Sequence, residues 1–313
     1  MSHDDPCVVA VDVGATTIKG ARVGLDGGSR AEVTVNTGRG PAAVAAVIGV
    51  CQELRDESCV AIALASAGLV DVDAGLVRHS VNIGWTSLPL RRLVADALEL
   101  PVTLVHDVGA ACLAEATVGL GRSVSDLLVV VIGTGVAAGI VTGGLTVVGA
   151  TGSAGELGHL VVRADGDACA CGQHGCLEVY ASAGGIARRH ARLGGDSSLT
   201  VAEISRAQTS AAQAVWDDAV RCLGTGLAAA TVLLDPSLIV LAGGMSAAGE
   251  RLTVPVRRAL ADGLGWRSAP PVEVSPLGAA GGRIGAAMAA WTAAGRGDVP
   301  PTWTVAQLLG TAR

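Results

Sequence analysis

Residues 7–19 read Cys7-Val-Val-Ala-Val-Asp12-Val-Gly14-Ala-Thr16-Thr17-Ile-Lys19. The apolar, β-branched run up to Val13 predicts a strand, and Gly14 predicts the turn that follows it. This turn carries an acid, two hydroxyls and a cation. Phosphate transfer uses such groups, because glycine lets backbone amides approach a phosphate, hydroxyls donate to it, and an acid can hold Mg²⁺ or its water. Taken alone, the stretch is equally compatible with a plain strand–turn–strand hairpin.

Two further glycine turns follow apolar strands. Gly133-Thr134-Gly135 comes after the run 127–132, and Gly243-Gly244 comes after the run 237–242. Three such turns in one chain make the plain hairpin a poor explanation. The first and second turns both stand in a strand–turn–strand order, which predicts a duplicated architecture.

The remaining pattern mixes strands and helices. Further strands are predicted at 19–25, 32–36, 60–65, 101–105, 140–142 and 272–275, and helices at 41–55, 90–98, 110–120, 182–193, 211–233, 254–260 and 281–293. We therefore expect an α/β fold of two lobes around a cleft. The expected division is a small lobe over 1–107, on which the helix 281–293 packs back, and a large lobe over 108–294. Residues 295–313 are expected to form a loosely attached tail.

Composition narrows the class of protein. The 313 residues carry a net charge of −6 and half of them are hydrophobic, so a large core is expected and a basic surface for nucleic acid is not. We find no signal peptide pattern and no apolar run long enough to span a membrane. Eight cysteines in such a chain do not resemble a secreted disulfide framework. We expect a cytoplasmic protein with no nucleic-acid or membrane partner.

Three of the cysteines are clustered, at Cys169, Cys171 and Cys176, with His159 ahead of them. Three thiolates and one imidazole form a tetrahedral set that suits Zn²⁺, and four protein ligands leave no open position, which indicates a structural ion. His174 is a competing ligand by proximity. Burial of ordinary thiols is the alternative interpretation.

The chain resembles the ROK family of sugar kinases and repressors. The most specific marks are Glu156-Leu-Gly158-His159 and Cys169-Ala-Cys171-Gly-Gln-His-Gly-Cys176-Leu-Glu178, which are similar to the family's ExGH and CxCGxxGCxE patterns. The resemblance spans about residues 12–290 and implies the actin-like ATPase (ribonuclease H-like) fold with an interlobe cleft. It also favours His159 over His174 as the metal ligand.

The resemblance implies a site that uses ATP and Mg²⁺ to phosphorylate a small-molecule sugar, with the 6-hydroxyl of a hexose or amino-hexose as the expected acceptor. Asp107 would be the catalytic base. Nucleotide contacts would come from the three turns, at Asp12, Gly14, Thr16, Thr17, Lys19, Gly133, Thr134, Gly135, Gly243 and Gly244. Sugar contacts would come from Gly68, Asn82, His106, Asp107, Glu156, His159 and Glu178.

Several alternatives accompany this interpretation. Asp107 stands before a predicted helix, where Asp is also a good N-cap. His106 replaces an asparagine common in the family's kinases, which leaves open an inactive sugar-binding or regulatory relative. A repressor is disfavoured, because only eleven residues precede Asp12. The family commonly forms homo-oligomers, so we expect a dimer.

Overall fold

The opening strand has the predicted bounds. Its residues Val8, Val9 and Val11 are fully buried, and β-branched side chains of this kind favour a buried strand. The computed structural model describes residues 5–310. In chain order, the elements of the first part are β1 (Cys7–Val13), β2 (Thr17–Gly24), β3 (Ser29–Asn36), α1 (Pro41–Leu54), β4 (Cys59–Ser66), β5 (Leu69–Asp71), β6 (Leu76–Ser80), β7 (Trp85–Leu88), α2 (Leu90–Leu98), β8 (Val102–His106) and α3 (Asp107–Thr117).

The second part begins with the other long apolar strand. Its elements are β9 (Leu127–Ile132), β10 (Val136–Thr142), β11 (Leu145–Thr146), α4 (Leu177–Ala181), α5 (Ala183–Arg192), α6 (Val201–Ile204), α7 (Ser210–Leu234), β12 (Leu238–Ala242), α8 (Glu250–Asp262), β13 (Val272–Val274), α9 (Gly281–Ala293) and α10 (Val305–Leu308). Short 3₁₀ turns lie at Leu157–His159, Gly244–Ala248, Gly278–Ala280 and Pro300–Thr302.

Two five-stranded sheets share one topology, which confirms the predicted duplication. The first has the order β3-β2-β1-β4-β8 and the second has the order β11-β10-β9-β12-β13. In each order, neighbouring strands among the first three pair antiparallel. The third strand is the central one, and it and the last two strands are all parallel. A hairpin therefore follows the central strand in both sheets, with a glycine turn at its tip.

The chain divides into two compact units. One comprises the chain up to Arg122, Val148–Ser153 and everything from Ala280, and the other comprises Ser123–Val147 and Ala154–Ala279. This division differs from the expected boundary after residue 107, because α3 belongs to the first unit. There α3 packs closely on α9: a methyl group on Gly285 would lie only 1.9 Å from the carbonyl oxygen of Ala110.

The first unit also holds a three-stranded antiparallel sheet, β5-β6-β7, that the sequence did not predict. Its strands have only three to five residues each and mix buried with exposed positions. Periodicity is a weak signal over so few residues.

The prediction of a loosely attached tail is wrong for residues 295–310. Trp303 is 1% exposed, and its indole Nε1 donates to the carbonyl oxygen of Leu25 at 2.8 Å. The bulky indole ties this segment to the turn between β2 and β3, beyond what its proline and glycine content suggests. Residues 311–313 of the predicted tail lie outside the described range.

None of the helices between residues 5 and 310 combines the length and apolar character needed to cross a bilayer.

Candidate active site and metal centre

In the first unit, candidate residues gather at the carboxyl ends of three parallel strands. Val13 of β1 pairs with Ser66 of β4, which in turn pairs with His106 of β8. The residues that follow these strand ends therefore emerge side by side. The crevice outside the carboxyl ends of parallel strands is where α/β sheets commonly bind ligands.

The turn between β1 and β2 is closed by its own backbone. The Gly14 amide donates to the Thr17 carbonyl at 3.1 Å, and a methyl group on Gly14 would lie 2.9 Å from the same oxygen. Thr37, which is fully buried, donates its hydroxyl to the Gly14 carbonyl at 2.7 Å. The sequence analysis missed Thr37, because its position after β3 gives no local signal of this contact. Thr16 is exposed at the tip of the turn.

Asp12 carries the clearest electrostatic perturbation. Burial, and then the charge of Asp107, raise its pKa to about 7, while Lys19 and Arg283 act in the opposite direction. Lys19 stands opposite Asp12 in the β1–β2 register. Arg283, which the sequence analysis did not single out, lies on α9 and also pairs with Glu32 at 2.6 Å.

Asp107 is the first residue of α3. Its Oδ1 accepts from the Val108 amide at 2.8 Å and lies 3.3 Å from His106 Nε2. The N-cap position belongs to His106, so the interpretation of Asp107 as the N-cap is wrong. The Asp107 side chain is 27% exposed, which leaves it accessible to a small molecule.

Gly68 and Asn82 flank the small sheet of the first unit. Gly68 has φ +110°, and a methyl group on it would lie 2.4 Å from the His79 carbonyl, so this position requires glycine. Asn82 follows β6 and is exposed. Its carbonyl oxygen accepts from Arg39 Nη1 at 3.1 Å, which leaves its side-chain amide for other contacts.

The second unit repeats the arrangement at the ends of β9 and β12. The Gly133 amide donates to the Gly135 carbonyl at 2.9 Å, closing the turn after β9. Gly243 has φ +84°, and a methyl group on it would lie 2.6 Å from the carbonyl oxygen of Ile132, the last residue of β9. Gly244 opens the 3₁₀ turn that follows. The two glycine turns therefore adjoin at neighbouring strand ends.

Two side chains surround the turn 133–135. Glu178 Oε2 accepts from the Val136 amide at 3.1 Å and would lie 2.5 Å from a methyl group on Gly135. A methyl group on Gly184 would lie 3.0 Å from Arg188 Nη1 and 3.6 Å from the Thr134 carbonyl. The exposed Arg188 guanidinium therefore places a positive charge beside this turn. The sequence analysis missed Arg188; its position within the first two turns of α5 was the available signal.

The predicted metal ligands come together in the second unit. One ligand atom each from His159, Cys169, Cys171 and Cys176 lies within 4.8 Å of the other three. Cys171 Sγ is 3.7 Å from Cys176 Sγ, and Cys169 Sγ is 3.9 Å from His159 Nδ1. A tetrahedron with Zn–S bonds of about 2.3 Å has edges of about 3.8 Å, so the four groups fit zinc. His174 Nδ1 instead lies 3.3 Å from the Gly166 carbonyl.

The segment 159–176, here called the metal loop because it carries the four candidate ligands, closes through its backbone. The Cys169 amide donates to the Gln173 carbonyl at 2.8 Å, and the Gly172 amide donates to the Cys169 carbonyl at 3.0 Å. Gly175 has φ +76°, and a methyl group on it would lie 1.7 Å from the Arg163 carbonyl. The second imidazole nitrogen of His159, Nε2, lies 3.8 Å from Glu156 Oε2. This separation is longer than a hydrogen bond, so the two side chains are neighbours without a direct bond.

The structure matches solved sugar kinases over about nine-tenths of the chain. A ROK family glucokinase from Streptomyces griseus, in complex with glucose and AMPPNP, gives a TM-score of 0.83 at 29% identity over 91% of this chain and 99% of that one. The ROK hexokinase from Thermus thermophilus gives 0.73 at 32% identity over 91% and 98%. The fold is thus the mixed α/β, two-lobed actin-like ATPase fold, and the predicted fold class is confirmed.

Sequence comparison agrees with the structural match. The glucokinase of Halalkalibacterium halodurans is 34% identical over 280 residues, which are 81% of this chain and 85% of the relative. The sequence pattern of the ROK family matches residues 8–293. The chain belongs to the ROK family.

Proposed function

We propose that this protein is an ATP-dependent kinase that phosphorylates a hydroxyl of a hexose or amino-hexose, the 6-hydroxyl in particular. One observation carries the proposal: Asp107 offers an accessible carboxylate at the strand-end edge that also holds Asp12 and the first glycine turn. The kinship with glucokinases supports the reaction class.

In this proposal Asp107 is the general base. It accepts the proton of the sugar hydroxyl while the hydroxyl oxygen attacks the γ-phosphorus of ATP. The bond from the γ-phosphorus to the bridging oxygen breaks, and ADP leaves with that electron pair. The hydrogen bond that the Val108 amide donates to Oδ1 orients the Asp107 carboxylate.

The glycine turns would bind the nucleotide. The residues that would hold phosphate oxygens are Gly14, Thr16, Thr17, Lys19, Gly133, Thr134 and Gly135. Gly243 and Gly244 would adjoin the adenosine. Asp12 would face the Mg²⁺ that accompanies ATP, and a nearby cation would favour the ionised form of this carboxyl.

The sugar contacts would come from six residues besides Asp107: Gly68, Asn82, His106, Glu156, His159 and Glu178. His106 can donate or accept a hydrogen bond. It stands within reach of Asp107, so it would contact a hydroxyl or amine next to the reacting one.

We also propose that His159, Cys169, Cys171 and Cys176 hold a structural Zn²⁺. Bound zinc would supply rigidity and no reaction chemistry, because four protein ligands complete its coordination. The metal loop would then present Glu156 and Glu178 in fixed positions. We further propose a homodimer in the cytoplasm; sedimentation of the purified protein that yields only monomer would contradict the dimer.

The test is Asp107→Asn in a coupled ADP-release assay over glucose, mannose, N-acetylglucosamine, N-acetylmannosamine and free amino sugars. Removal of the base should lower kcat by about 10²–10⁴-fold on the preferred sugar while ATP still binds. The control is Asp96→Asn, an exposed acid on α2, which should retain full activity. Turnover of Asp107→Asn near the wild-type rate would refute the role of Asp107.

The alternative is a catalytically inactive sugar-binding or regulatory relative, which His106 in place of the family's asparagine favours. It predicts sugar binding by calorimetry with no ADP release from the wild-type protein on any sugar of the panel.

A further inference from the structure

The segment between His159 and Cys169 is held by a cluster of side chains that takes no part in the proposed metal coordination. This polar cluster consists of Arg163, Asp167, Tyr180, Arg189, Arg192, Asp218 and Arg221. Two residues of this segment, Arg163 and Asp167, reach across to the helices α4, α5 and α7. The two carboxylate oxygens of Asp167 accept hydrogen bonds from Arg192 Nη1 and Nη2, at 3.1 and 2.8 Å. Arg163 forms an ion pair with Asp218 of α7. The metal loop is thus attached to its surroundings by side chains as well as by any bound ion.

Tyr180 of α4 lies at the centre of this cluster. It is the only tyrosine in the chain and is 1% exposed. Its hydroxyl accepts from the Asp167 amide at 2.7 Å. The guanidinium carbons of Arg163 and Arg189 lie 4.5 and 4.7 Å from its ring centroid. Both contacts are at cation–π distance, so the ring joins the metal loop to α5.

Asp218 completes the cluster from α7. Its side chain is 6% exposed, and it pairs with Arg163, Arg189 and Arg221. Burial alone raises the pKa of Asp218, but the hydrogen bond and charge of Arg189, with Arg221 and Arg163, outweigh it and hold this pKa below its usual value. A buried carboxylate with three guanidiniums is therefore ionised and tightly held at neutral pH.

We propose that Tyr180 and Asp218 are positioning residues for the metal centre, which hold the loop of His159 and the three cysteines in its metal-binding geometry. This inference rests on the proposed zinc site. The cluster restrains the loop at Arg163 and Asp167, between the first metal ligand and the second. A loop restrained there loses less conformational freedom when an ion binds, so the cluster strengthens metal binding.

The same cluster connects the metal loop with the second glycine turn. Tyr180 and Glu178 lie on the short helix α4, and Glu178 Oε2 accepts a hydrogen bond from the Val136 amide. The loop held by Tyr180 therefore shares its support with the carboxylate beside Gly135. Loosening the cluster weakens metal binding first. It then lowers the affinity for sugar, because Glu156 and Glu178 lose their fixed positions. The chemistry at Asp107 is not directly changed.

Two variants test the proposal. Tyr180→Phe keeps the buried ring and removes only the hydroxyl that accepts from Asp167. Asp218→Asn keeps the side-chain shape and removes the charge. The control is Asp235→Asn, an acid paired with Arg267 at an exposed position outside the cluster. Far-UV circular dichroism and binding of a non-hydrolysable ATP analogue establish that each variant is folded.

The measurements are zinc release to a chromophoric chelator and the thiolate charge-transfer absorption of the Co²⁺-substituted protein. We expect both cluster variants to bind Co²⁺ at least about ten-fold more weakly and to release zinc correspondingly faster. The KM for the sugar should rise more than kcat falls, and Asp235→Asn should match the wild type. Since Tyr180 is the only tyrosine, incorporated 3-fluorotyrosine gives one ¹⁹F resonance, which should shift when zinc is removed.

The outcomes separate the two proposals. Wild-type protein that binds neither zinc nor cobalt overturns the metal site and this inference with it. Wild-type protein that binds both, alongside a Tyr180→Phe variant with the same affinity and release rate, overturns the positioning role alone. Failure of Asp218→Asn to fold leaves Tyr180→Phe as the deciding variant.

Discussion

Replacement of Asp12 by Asn should stabilise the nucleotide-free protein at alkaline pH while it removes activity. The pKa of Asp12 is raised from 3.8 to about 7, with burial as the first cause and Asp107 as the second. A raised pKa means that the folded state binds the proton more tightly than the unfolded state does. The contribution of Asp12 to the free energy of unfolding therefore falls as the pH rises from about 4 to about 7, and this contribution is constant above that range.

The size of the effect follows from this shift. About three pKa units at 1.36 kcal/mol each correspond to an upper value of about 4 kcal/mol. Asp12 keeps a minor part of its surface exposed to solvent, and the screening there reduces the expected gain to about 2 kcal/mol. For a chain of 313 residues, whose entropy of unfolding is about 0.66 kcal/mol/K, such a gain raises the melting temperature by about 3 °C.

The assay compares thermal unfolding of the wild type and Asp12→Asn at pH 4.5, 6 and 8, without nucleotide or Mg²⁺. The difference in melting temperature should be small at pH 4.5, grow through pH 6 and be full at pH 8. Activity at pH 8 should be lost, since asparagine cannot supply the charge that we propose faces Mg²⁺. A difference that is the same at every pH, or that is largest in acid, would show that burial of the charge does not set the behaviour of Asp12.

Four further changes have defined outcomes. Gly135→Ala forces the Glu178 carboxylate from its bond to Val136, so KM for ATP should rise about ten-fold, and Gly133→Ala, with no atom within 4 Å of its methyl group, should be milder. Arg188→Ala should raise KM for ATP several-fold and leave KM for the sugar unchanged; an unchanged KM for ATP would mean that this guanidinium does not meet phosphate. Gly175→Ala should abolish zinc retention in elemental analysis, because its methyl group would lie 1.7 Å from a carbonyl oxygen, while Gly194→Ala, equally left-handed but uncrowded, should retain the metal. Trp303→Ala should lower the free energy of unfolding by about 3–5 kcal/mol in urea; a loss below 1 kcal/mol would mean that the C-terminal segment adds little stability.

The sequence was most informative where a signal is local. Long apolar strands ending in glycine placed β1 and β9 at their observed bounds, because each is buried almost throughout and ends where the chain must turn. The spacing of Cys169, Cys171 and Cys176 was likewise enough to expect a cluster of thiols. Helix α9 was predicted at its observed bounds from a run of small residues.

The sequence was least informative where a contact joins distant parts of the chain. Thr37 holds the first glycine turn, and Trp303 holds the C-terminal segment against the turn at Leu25. Neither residue stands in a pattern that distinguishes it from an ordinary threonine or tryptophan. The strands β5, β6 and β7 were missed because each is too short for its alternation to be distinguished from that of a loop.

The sequence by itself determined the duplicated strand and glycine-turn pattern and the family. It also predicted the residues that we propose carry the chemistry, because all of these depend on residue type and spacing along the chain. The tertiary structure alone decided which of them meet. It raised the pKa of Asp12 through burial and Asp107, turned Glu178 toward the Val136 amide, and surrounded Tyr180 with the guanidiniums of Arg163 and Arg189. Electrostatic and packing energies depend on distances in space, and folding sets those distances between residues that lie far apart in sequence.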